Sequence, residues 1–309
     1  MKKTLLLSTI IVSSLILSAC GNDDTAAATK KEEPEKTEVK LEVEKKDNTE
    51  TEPTTEKNVE NNTLIESVER EITTESTESD ITTERFKINK DNAKELEVSL
   101  IQGSGDLFVS KGTHNWAEGA LEYGYFDKGE NDSLEAKYFR PELSFELIGD
   151  KGKINIQHDQ DAFSNSPKVI KNFSLETKNI WDIDLTDEIP ISLDIDTGAS
   201  NTELDLRGLQ LKFLGIDSGA GNINLDLSGD WDKSFDVTID QGVGNTTVYL
   251  PTDIGVKISS SIGLGSPKFK GLNSKNNGIY VNEAYDNAEV IINLKANFGI
   301  GDKVEFIVK

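Results

Sequence analysis

A pattern of glycine and asparagine returns three times in the second half of the chain, at a spacing that leaves few folds open. Each copy reads Ile-Asp, one polar residue, Gly, two further residues and Asn, and the copies begin at Ile195, Ile216 and Ile239, which are 21 and 23 residues apart. A degraded fourth copy follows at Ser261–Ser266, and looser relatives stand at Gln102–Asp106 and Phe298–Asp302. Periods of this length indicate stacked supersecondary units.

Apolar and polar residues alternate on both sides of each glycine. Ile191, Leu193 and Ile195 lead into the first copy, and Leu204 and Leu206 follow it, with acidic residues between several of them. A period of two indicates strands with one buried face, and glycine supplies the positive φ that a tight reversal needs. Each repeat is therefore predicted to be a strand, a glycine turn and a strand. We expect few and short helices and an all-β, solenoid-like stack, either a β-helix or a sandwich.

The turn residues occupy equivalent places in the three copies. They are Gly198, Gly219 and Gly242, followed by Asn201, Asn222 and Asn245. In a stacked architecture the three amides are able to hydrogen-bond to one another as a ladder, with Ser266 at the equivalent place of the fourth copy. The alternative is that each asparagine caps only its own turn.

Composition divides the chain. No Phe, Tyr or Trp precedes Phe86, and a Glu/Thr/Lys/Asn tract with little apolar surface does not offset the entropy of ordering a backbone. We therefore predict a signal peptide at 1–19, a disordered tether at 20–85 with at most a short helix at 63–71, the first part of a β domain at 86–190 and a glycine-repeat part at 191–309.

The N-terminus has the features of a secretory signal, namely Lys2 and Lys3 followed by an apolar run. It resembles a bacterial lipoprotein signal, because Leu17-Ser-Ala-Cys20 ends the run and Cys20 is the single cysteine of the chain. The resemblance implies a diacylglycerol on the Cys20 thiol and cleavage just before it, and two acyl chains give stable anchoring. We expect a membrane-anchored protein on the extracytoplasmic face; an ordinary secretory signal is the alternative.

Charge and motifs exclude several classes of partner. The chain has 56 acidic and 33 basic residues, a net charge of −23, which argues against nucleic acid and against an anionic surface as partner. The Gly-x-Gly turns do not continue to the third glycine of a dinucleotide-binding loop, since Asn224, Thr247 and Val304 stand there. We expect no cofactor.

Catalytic groups are sparse. His114 and His158 are the only histidines, and both are interpreted as residues without a catalytic role; with no free thiol they also provide no zinc or copper site. Acidic side chains that would cluster on adjacent strands are the pattern of a glycan-cleaving enzyme, but alternation alone explains acids on an outward face. The acids concerned are Asp194, Asp205, Asp226 and Asp236.

Two further features allow a binding role. Asp196, Asp217 and Asp240 precede the glycine turns and are weak calcium candidates, although an aspartate there is also a common turn former. Aromatic residues crowd a stretch between Lys111 and Pro141 that is predicted to be rich in loops, either as a recognition surface or, the reading we prefer, as a cap over the open end of the solenoid. They are Trp116, Tyr123, Tyr125, Phe126, Tyr138 and Phe139.

Several of these segments resemble a known family. Leu96–Val109, Trp181–Leu185 and Pro190–Ala199 look like the toast-rack, or cell-wall-active antibiotic response, domain, and the glycine-repeat part is similar to the related putative-adhesin β domains. The resemblance implies an all-β module without known catalysis, often found at the C-terminus of membrane-embedded regulators of envelope stress. This chain departs from that arrangement in having a lipid anchor and a tether.

The sequence therefore predicts a non-catalytic surface lipoprotein whose β-repeat domain binds or scaffolds, with the membrane as one partner through Cys20 and a protein or cell-wall component as the other. An envelope-stress role follows from the toast-rack resemblance. The first alternative is an adhesin-like lipoprotein that binds glycan or matrix, and the second is a glycan-cleaving enzyme.

Overall fold

The computed structural model describes residues 68–76, 80–126, 140–158, 176–275 and 277–309, and every structural statement below refers to these residues. Cys20, the predicted signal peptide and most of the predicted tether lie outside them. The described chain is built from β-strands, with no α-helix and one short 3-10 turn at Tyr285–Asn287, as the absence of a helical apolar stripe predicted. The strands are β1 Val68–Ser76, β2 Asp80–Ile88, β3 Glu95–Lys111, β4 Ala117–Phe126, β5 Pro141–Ile148, β6 Lys151–His158, β7 Glu176–Leu185, β8 Ile191–Asp205, β9 Leu211–Asp226, β10 Phe235–Leu250, β11 Gly255–Gly265, β12 Lys268–Lys270, β13 Asn273–Ser274, β14 Ile279–Val281, β15 Ile291–Gly301 and β16 Val304–Val308.

All sixteen strands belong to one sheet, and its centre is a parallel stack. The order through the centre is β3, β8, β9, β10, β15 and β11. Equivalent residues of successive repeats are paired, for example Ile195 with Ile216 and Ile239 with Ile216. The solenoid-like all-β prediction is confirmed, and the pairing is in register because each repeat buries the same pattern of side chains.

Each long strand bends around the core at its glycines. In β8 the buried residues are Ile191, Leu193, Ile195 and Thr197 before the glycine but Ser200, Thr202 and Leu204 after it, because Gly198 and Ala199 are both exposed and shift the alternation by one. Both halves thus face the same hydrophobic core. We call a bent strand a rung, its two halves the first and second arm, and the aligned bends the crease.

The glycines do not produce hairpins. The tight reversal expected at Gly198, Gly219 and Gly242 is wrong, since each strand continues through its bend and pairs in parallel with the next rung. The chain instead returns through short segments between rungs, such as residues 206–210. A parallel pair needs such a return outside the sheet.

The order of the rungs in space differs from their order in the chain. The rung formed by β15 and β16 lies between β10 and the rung formed by β11 and β12, so the Phe298–Asp302 segment is the neighbour of the third repeat. The degraded copy at Ser261–Ser266 lies one place further out, at the end of the stack. A spacing of 21 residues cannot show that a later segment inserts between two earlier ones.

The first part of the domain is continuous with the repeats. Strand β3 pairs with β6 along its first arm, with β7 along its second and with β8 on its other side. The sheet then continues from β7 through β4 and β2 to β1 by antiparallel pairing. The parts predicted at 86–190 and 191–309 therefore share one sheet and one core.

Two predicted boundaries are corrected here. Strands β1 and β2 show that the tether does not extend to residue 85, and residues 68–71 are strand rather than helix. The inward positions of β2 include Thr82 and Glu84, which are buried. Because these buried residues are polar, the sequence of β2 does not show the apolar-polar alternation that would predict a strand. In the described part of the stretch after Lys111, Ala117–Phe126 likewise form strand β4 and not a loop.

Candidate binding surface

Stacked glycines form the crease, and the first reason that glycine is needed there is the short distance between rungs. A methyl group on Gly198, Gly219 or Gly242 would lie 2.3, 2.5 or 2.4 Å from the carbonyl oxygen of the glycine on the preceding rung. The same contact recurs for Gly299 at 2.4 Å and Gly263 at 2.6 Å. These distances admit no side chain, so glycine is required at each of these five positions for the rungs to approach this closely.

Positive φ falls on the other glycine of the pair. Gly221 has φ of 130° and Gly244 has φ of 150°, and a methyl group on either would meet a neighbouring carbonyl oxygen at 1.8 or 1.6 Å. Gly198, Gly219 and Gly242 are absent from the described residues with positive φ. In the second and third repeats the two glycines therefore serve different physical needs, which their spacing alone did not separate; in the first repeat Ser200 stands at the place of the second glycine.

The residue between the two glycines points outward, and together these residues form a continuous row that we call the apolar ridge. Pairing in register joins them in the spatial order Ser104, Ala199, Ala220, Val243, Ile300 and Leu264. The last three are 49%, 46% and 65% exposed. The ridge therefore becomes larger and more apolar toward the end of the stack.

An amide ladder runs beside the apolar ridge. The Nδ2 of Asn222 donates to Oδ1 of Asn201 at 2.9 Å, and Nδ2 of Asn245 donates to Oδ1 of Asn222 at 3.1 Å. Asn201 in turn donates to Asp106, and the backbone N–H of Lys303 donates to Asn245. The predicted ladder is thus present, but it ends on Lys303 rather than on Ser266, because β16 follows β10 in the second arm.

A row of carboxylates lies on the other side of the ridge. Asp196, Asp217 and Asp240 are paired in register and exposed. Among the described residues no Lys, Arg or His forms an ion pair with them, and no three His, Cys, Asp or Glu side chains converge as a metal site. Asp240 instead accepts from Asn297 Nδ2 at 2.7 Å, and Asn297 accepts from Ser261 at 2.7 Å. The row acts as a negative border of the ridge.

Buried polar groups support the bends from inside. Ser200 donates to Oε1 of Gln102 at 2.8 Å, and Thr246 donates to Oε1 of Gln241 at 2.6 Å. Gln241 also donates to the carbonyl oxygen of Gly221 at 3.0 Å. The last of these bonds satisfies a backbone carbonyl oxygen at the bend. Sequence analysis missed them, although Gln241 stands immediately before a repeat glycine.

The proposed acidic catalytic set does not come together. Asp194 lies on the first arm, whereas Asp205 and Asp226 lie at the end of the second arm, paired in register. A hydrogen bond from the Arg207 guanidinium lowers the pKa of Asp205. Burial raises the pKa of Asp194, with a smaller effect from Glu97. Asp205 is thus held ionised and is poorly suited to be a general acid.

The two histidines lie in different places, His158 at the end of β6 and His114 just before β4. His158 Nδ1 accepts a hydrogen bond from the backbone N–H of Gly103 at 3.1 Å, and its ring packs on Trp181 with centroids 5.1 Å apart. It therefore covers the outer edge of the first bend. His114 is exposed.

The aromatic-rich stretch contributes to the core. Trp116 is 4% and Tyr123 3% exposed, which favours core closure over recognition for these two; the side chains of Tyr125, Phe126, Tyr138 and Phe139 lie outside the described residues. At the opposite end of the stack Tyr280 of β14 covers Phe269, with ring centroids 3.5 Å apart and planes at 9°.

A buried ionic cluster at the β1 end was not foreseen. Glu84, 1% exposed, accepts from Arg140 at 2.9 and 3.1 Å, from Arg70 at 3.3 Å and from the Tyr123 hydroxyl at 3.3 Å. Burial, and then the charge of Glu84, raises the pKa of Tyr123 to about 12. The cluster joins β2 and β4 to the chain that enters β5, and a Glu-Arg pair 56 residues apart leaves no sequence signal.

These features define a bent-sheet β-repeat module with a structured outer crease. No described helix has the length and apolarity to cross a membrane. The family model described as the N-terminal domain of toast_rack, DUF2154, matches residues 75–249, and the chain belongs to that family. The model described as cell wall-active antibiotics response LiaF, C-terminal, matches residues 197–305.

A solved structure agrees with the fold. A putative cell adhesion protein from Clostridium sporogenes is 26% identical, with a TM-score of 0.64, over 78% of this chain and 100% of that one. A putative adhesin from Bacteroides fragilis covers 72% of this chain and 97% of its own at 11% identity, but its TM-score of 0.27 supports no argument. No curated protein matches the chain.

Proposed function

We propose that this toast-rack protein is a surface lipoprotein whose domain binds another protein through the outer face of the crease, as part of the response of the cell envelope to stress. The apolar ridge carries the proposal. Val243, Ile300 and Leu264 are neighbours on three successive rungs and are each about half exposed or more. Contiguous apolar surface that folding leaves in water is typical of an interaction site.

Rigidity makes this surface suitable for recognition. Val243 and Ile300 stand on strands that are paired on both sides within the stack, and the flanking glycines allow these rungs to approach closely. Side chains held by regular structure lose little freedom on binding. The amide ladder on one side and the acidic row on the other supply a polar border, as a protein interface usually has.

Residues around Cys20 support the anchored location. Leu17–Cys20 follows an apolar run behind two lysines, and membrane attachment at Cys20 would place the domain outside the cytoplasmic membrane. Replacing Cys20 with Ala should abolish incorporation of an alkyne fatty acid and move the protein from the membrane to the soluble fraction. Retention in the membrane with full labelling would contradict the lipoprotein assignment.

An adhesin-like role is the second candidate. It is favoured by the likeness over the whole length of a protein described as a putative cell adhesion protein. The exposed ridge is aliphatic, however, and offers no aromatic ring for stacking on a sugar; this favours a protein over a glycan. Glycan cleavage is a weaker candidate. Turnover on a glycan panel that is lost when Asp194 and Asp226 are replaced together would support it, and a wild-type protein without turnover on the same panel would remove it.

Crosslinking in intact cells tests the proposed function. Val243, Ile300 and Leu264 are replaced together by Ser, and the matched control replaces Leu147 and Ile148, which are 38% and 50% exposed on β5. We expect the wild type and the control to give the same crosslinked proteins, and the ridge variant to lose them. Envelope regulators among these proteins support the stress role, and matrix proteins support adhesion. Equal crosslinking by all three forms would contradict binding at the ridge.

A further inference from the structure

The last rung of the stack is incompletely paired. Strand β11 pairs with β15 along Gly255–Gly265, but on its other side β14 covers only Lys257–Ser259. Within the described chain no strand pairs with the outer side of residues 260–265. The apolar ridge ends at Leu264, on this same segment.

Backbone groups at this edge point away from the molecule. Aligned residues of successive rungs form columns along the crease. In each column the glycine carbonyl oxygen is directed at the next rung, as the contacts from Gly242 to Gly299 and from Gly299 to Gly263 show. The same direction holds from Gly301 to Gly265. The carbonyls of Gly263 and Gly265 are the last of their columns and therefore face the position of one further strand.

Other described edges carry the usual protection against strand pairing. Strand β1 has Glu69, Arg70 and Glu71, β5 begins with Pro141 and Glu142, and β12 has Lys268 and Lys270 after Pro267. Charged residues and proline discourage pairing at an edge. The sequence from Ser260 to Gly265 contains neither.

Side chains at this edge are incompletely packed or lack a hydrogen-bond partner. Ile262 faces the core but is only partly buried, and the hydroxyl of Ser260 is inaccessible to solvent without a hydrogen-bond partner among the described residues. Ile258, on the same face where β14 completes the pairing, is fully buried. One more strand would complete the environment of Ile262.

Charge at this end differs from the rest of the domain. Residues 255–309 contain seven basic and five acidic residues, whereas residues 86–254 contain 15 basic and 31 acidic residues. Lys268, Lys270 and Lys303 all lie within 4 Å of the single carboxylate of Glu305, so that their charge is only partly neutralised. An acidic partner is complementary to this end.

We propose that the edge at residues 260–265 accepts an extended strand from an acidic protein partner, which adds to the sheet beside β11 and covers Leu264. The inference deepens the proposed function and rests on it, since the added strand would lie at the end of the apolar ridge. Main-chain hydrogen bonds give such a complex its affinity, and alternate side chains give it specificity. A second copy of this chain pairing through the same edge would bring the two lysine groups together, which disfavours it.

The glycine columns predict a requirement in the partner strand. In the column that contains Gly198, the residue facing each glycine carbonyl oxygen on the next rung is glycine, and a methyl group added there would lie only 2.3 to 2.6 Å from that oxygen. The added strand should therefore need glycine opposite Gly263. Alternating apolar and acidic residues around it would face Ile262 on one side and the lysines on the other.

Synthetic peptides test the proposal on the full chain. The probe is fluorescein-labelled Glu-Val-Glu-Val-Gly-Val-Glu-Val-Glu, and two further forms carry N-methyl groups on all valines or on all glutamates. Only one set of N–H groups can face β11, so one N-methylated form should bind at least tenfold more weakly while the other keeps its affinity, as measured by fluorescence anisotropy. Replacing the central glycine with alanine should also weaken binding at least tenfold.

Protein variants identify the edge. Lys268→Glu with Lys270→Glu should weaken binding of the unmodified peptide at least fivefold, whereas Lys233→Glu, an exposed lysine outside the terminal rung, should leave it unchanged. Equal binding of the two N-methylated peptides, no binding by the unmodified peptide, or a dimer formed through Ser260–Gly265 in analytical ultracentrifugation would overturn the proposal. Loss of crosslinked proteins in the ridge variant would meanwhile keep the proposed function intact.

Discussion

The two ends of the sheet are finished in different ways. At the β1 end, a buried carboxylate is bound by two arginines and a tyrosine, and the edge strands carry charge or proline. At the β11 end, three half-exposed lysines share Glu305, and six residues of edge carry no charge. One end is thus completed by the chain itself, while the other leaves backbone and apolar groups available to a partner.

The largest effect is expected when two equivalent glycines are replaced, one within the stack and one at its end. Gly221 and Gly265 have φ of 130° and 132°, and a methyl group would lie 1.8 and 2.1 Å from a neighbouring carbonyl oxygen. Gly221→Ala should lower the free energy of unfolding by about 4 kcal/mol. Gly265→Ala should lower it by only about 2 kcal/mol, because the terminal strand is able to move outward. Urea denaturation measures both, and equal losses would contradict an open end.

A second pair of variants compares the ionic clusters. Glu84→Gln removes the charge that faces two arginines in the core and should cost about 3 kcal/mol. Glu305→Gln should cost clearly less than Glu84→Gln, because its lysines are 54% to 66% exposed and water screens the pair. Thermal unfolding at one protein concentration checks the difference. A larger loss at Glu305 would reverse the interpretation of the two ends.

Alkaline pH should affect the β1 end selectively. The pKa of Tyr123 is raised from 10 to about 12 in the folded protein, so the folded state holds this proton more tightly than the unfolded state. Its contribution is complete below pH 10 and is lost as pH rises toward 12, by about 1 kcal/mol at pH 11. The difference in unfolding free energy between wild type and Tyr123→Phe should therefore shrink from pH 9 to pH 11. A constant difference would argue against the buried environment.

The smallest effect is expected at the ridge itself. Leu264→Ser changes a side chain that is 65% exposed and should alter the unfolding free energy by less than about 0.5 kcal/mol. Val237→Ser, a buried control on β10, should cost several times more, since it leaves a polar group in the core. If Leu264→Ser were as destabilising as the control, the ridge would belong to the core and not to a binding surface.

Local sequence patterns are sufficient to predict the strands and the alignment of the repeats. Alternation around Ile195, Ile216 and Ile239 reveals strands with one buried face, and repetition at nearly constant spacing places equivalent residues side by side. The asparagine ladder follows from that same register. Calcium at Asp196, Asp217 and Asp240 remains a weak prediction without support from any cluster of three ligands among the described residues.

Two expectations are wrong because the sequence does not show the surroundings of the residues concerned. Glu84 reads as a solvated acid in a Thr/Glu tract, and only the distant Arg140 makes its burial tolerable. For that reason the tether was extended to residue 85, beyond the start of strand β1. The sequence predicts a tight reversal at each bend, because a glycine that permits close packing cannot be told from a glycine that adopts positive φ by its place in the sequence.

The amino-acid sequence by itself determined an all-β repeat, its period and the residues that face outward at each bend, because these depend on neighbours a few positions apart. Tertiary structure alone decided that β15 inserts between β10 and β11, that Glu84 is buried, and that the most apolar part of the ridge lies at an open edge. Those outcomes depend on contacts between segments that are distant in the chain, where each group's surroundings, rather than its type, set its free energy.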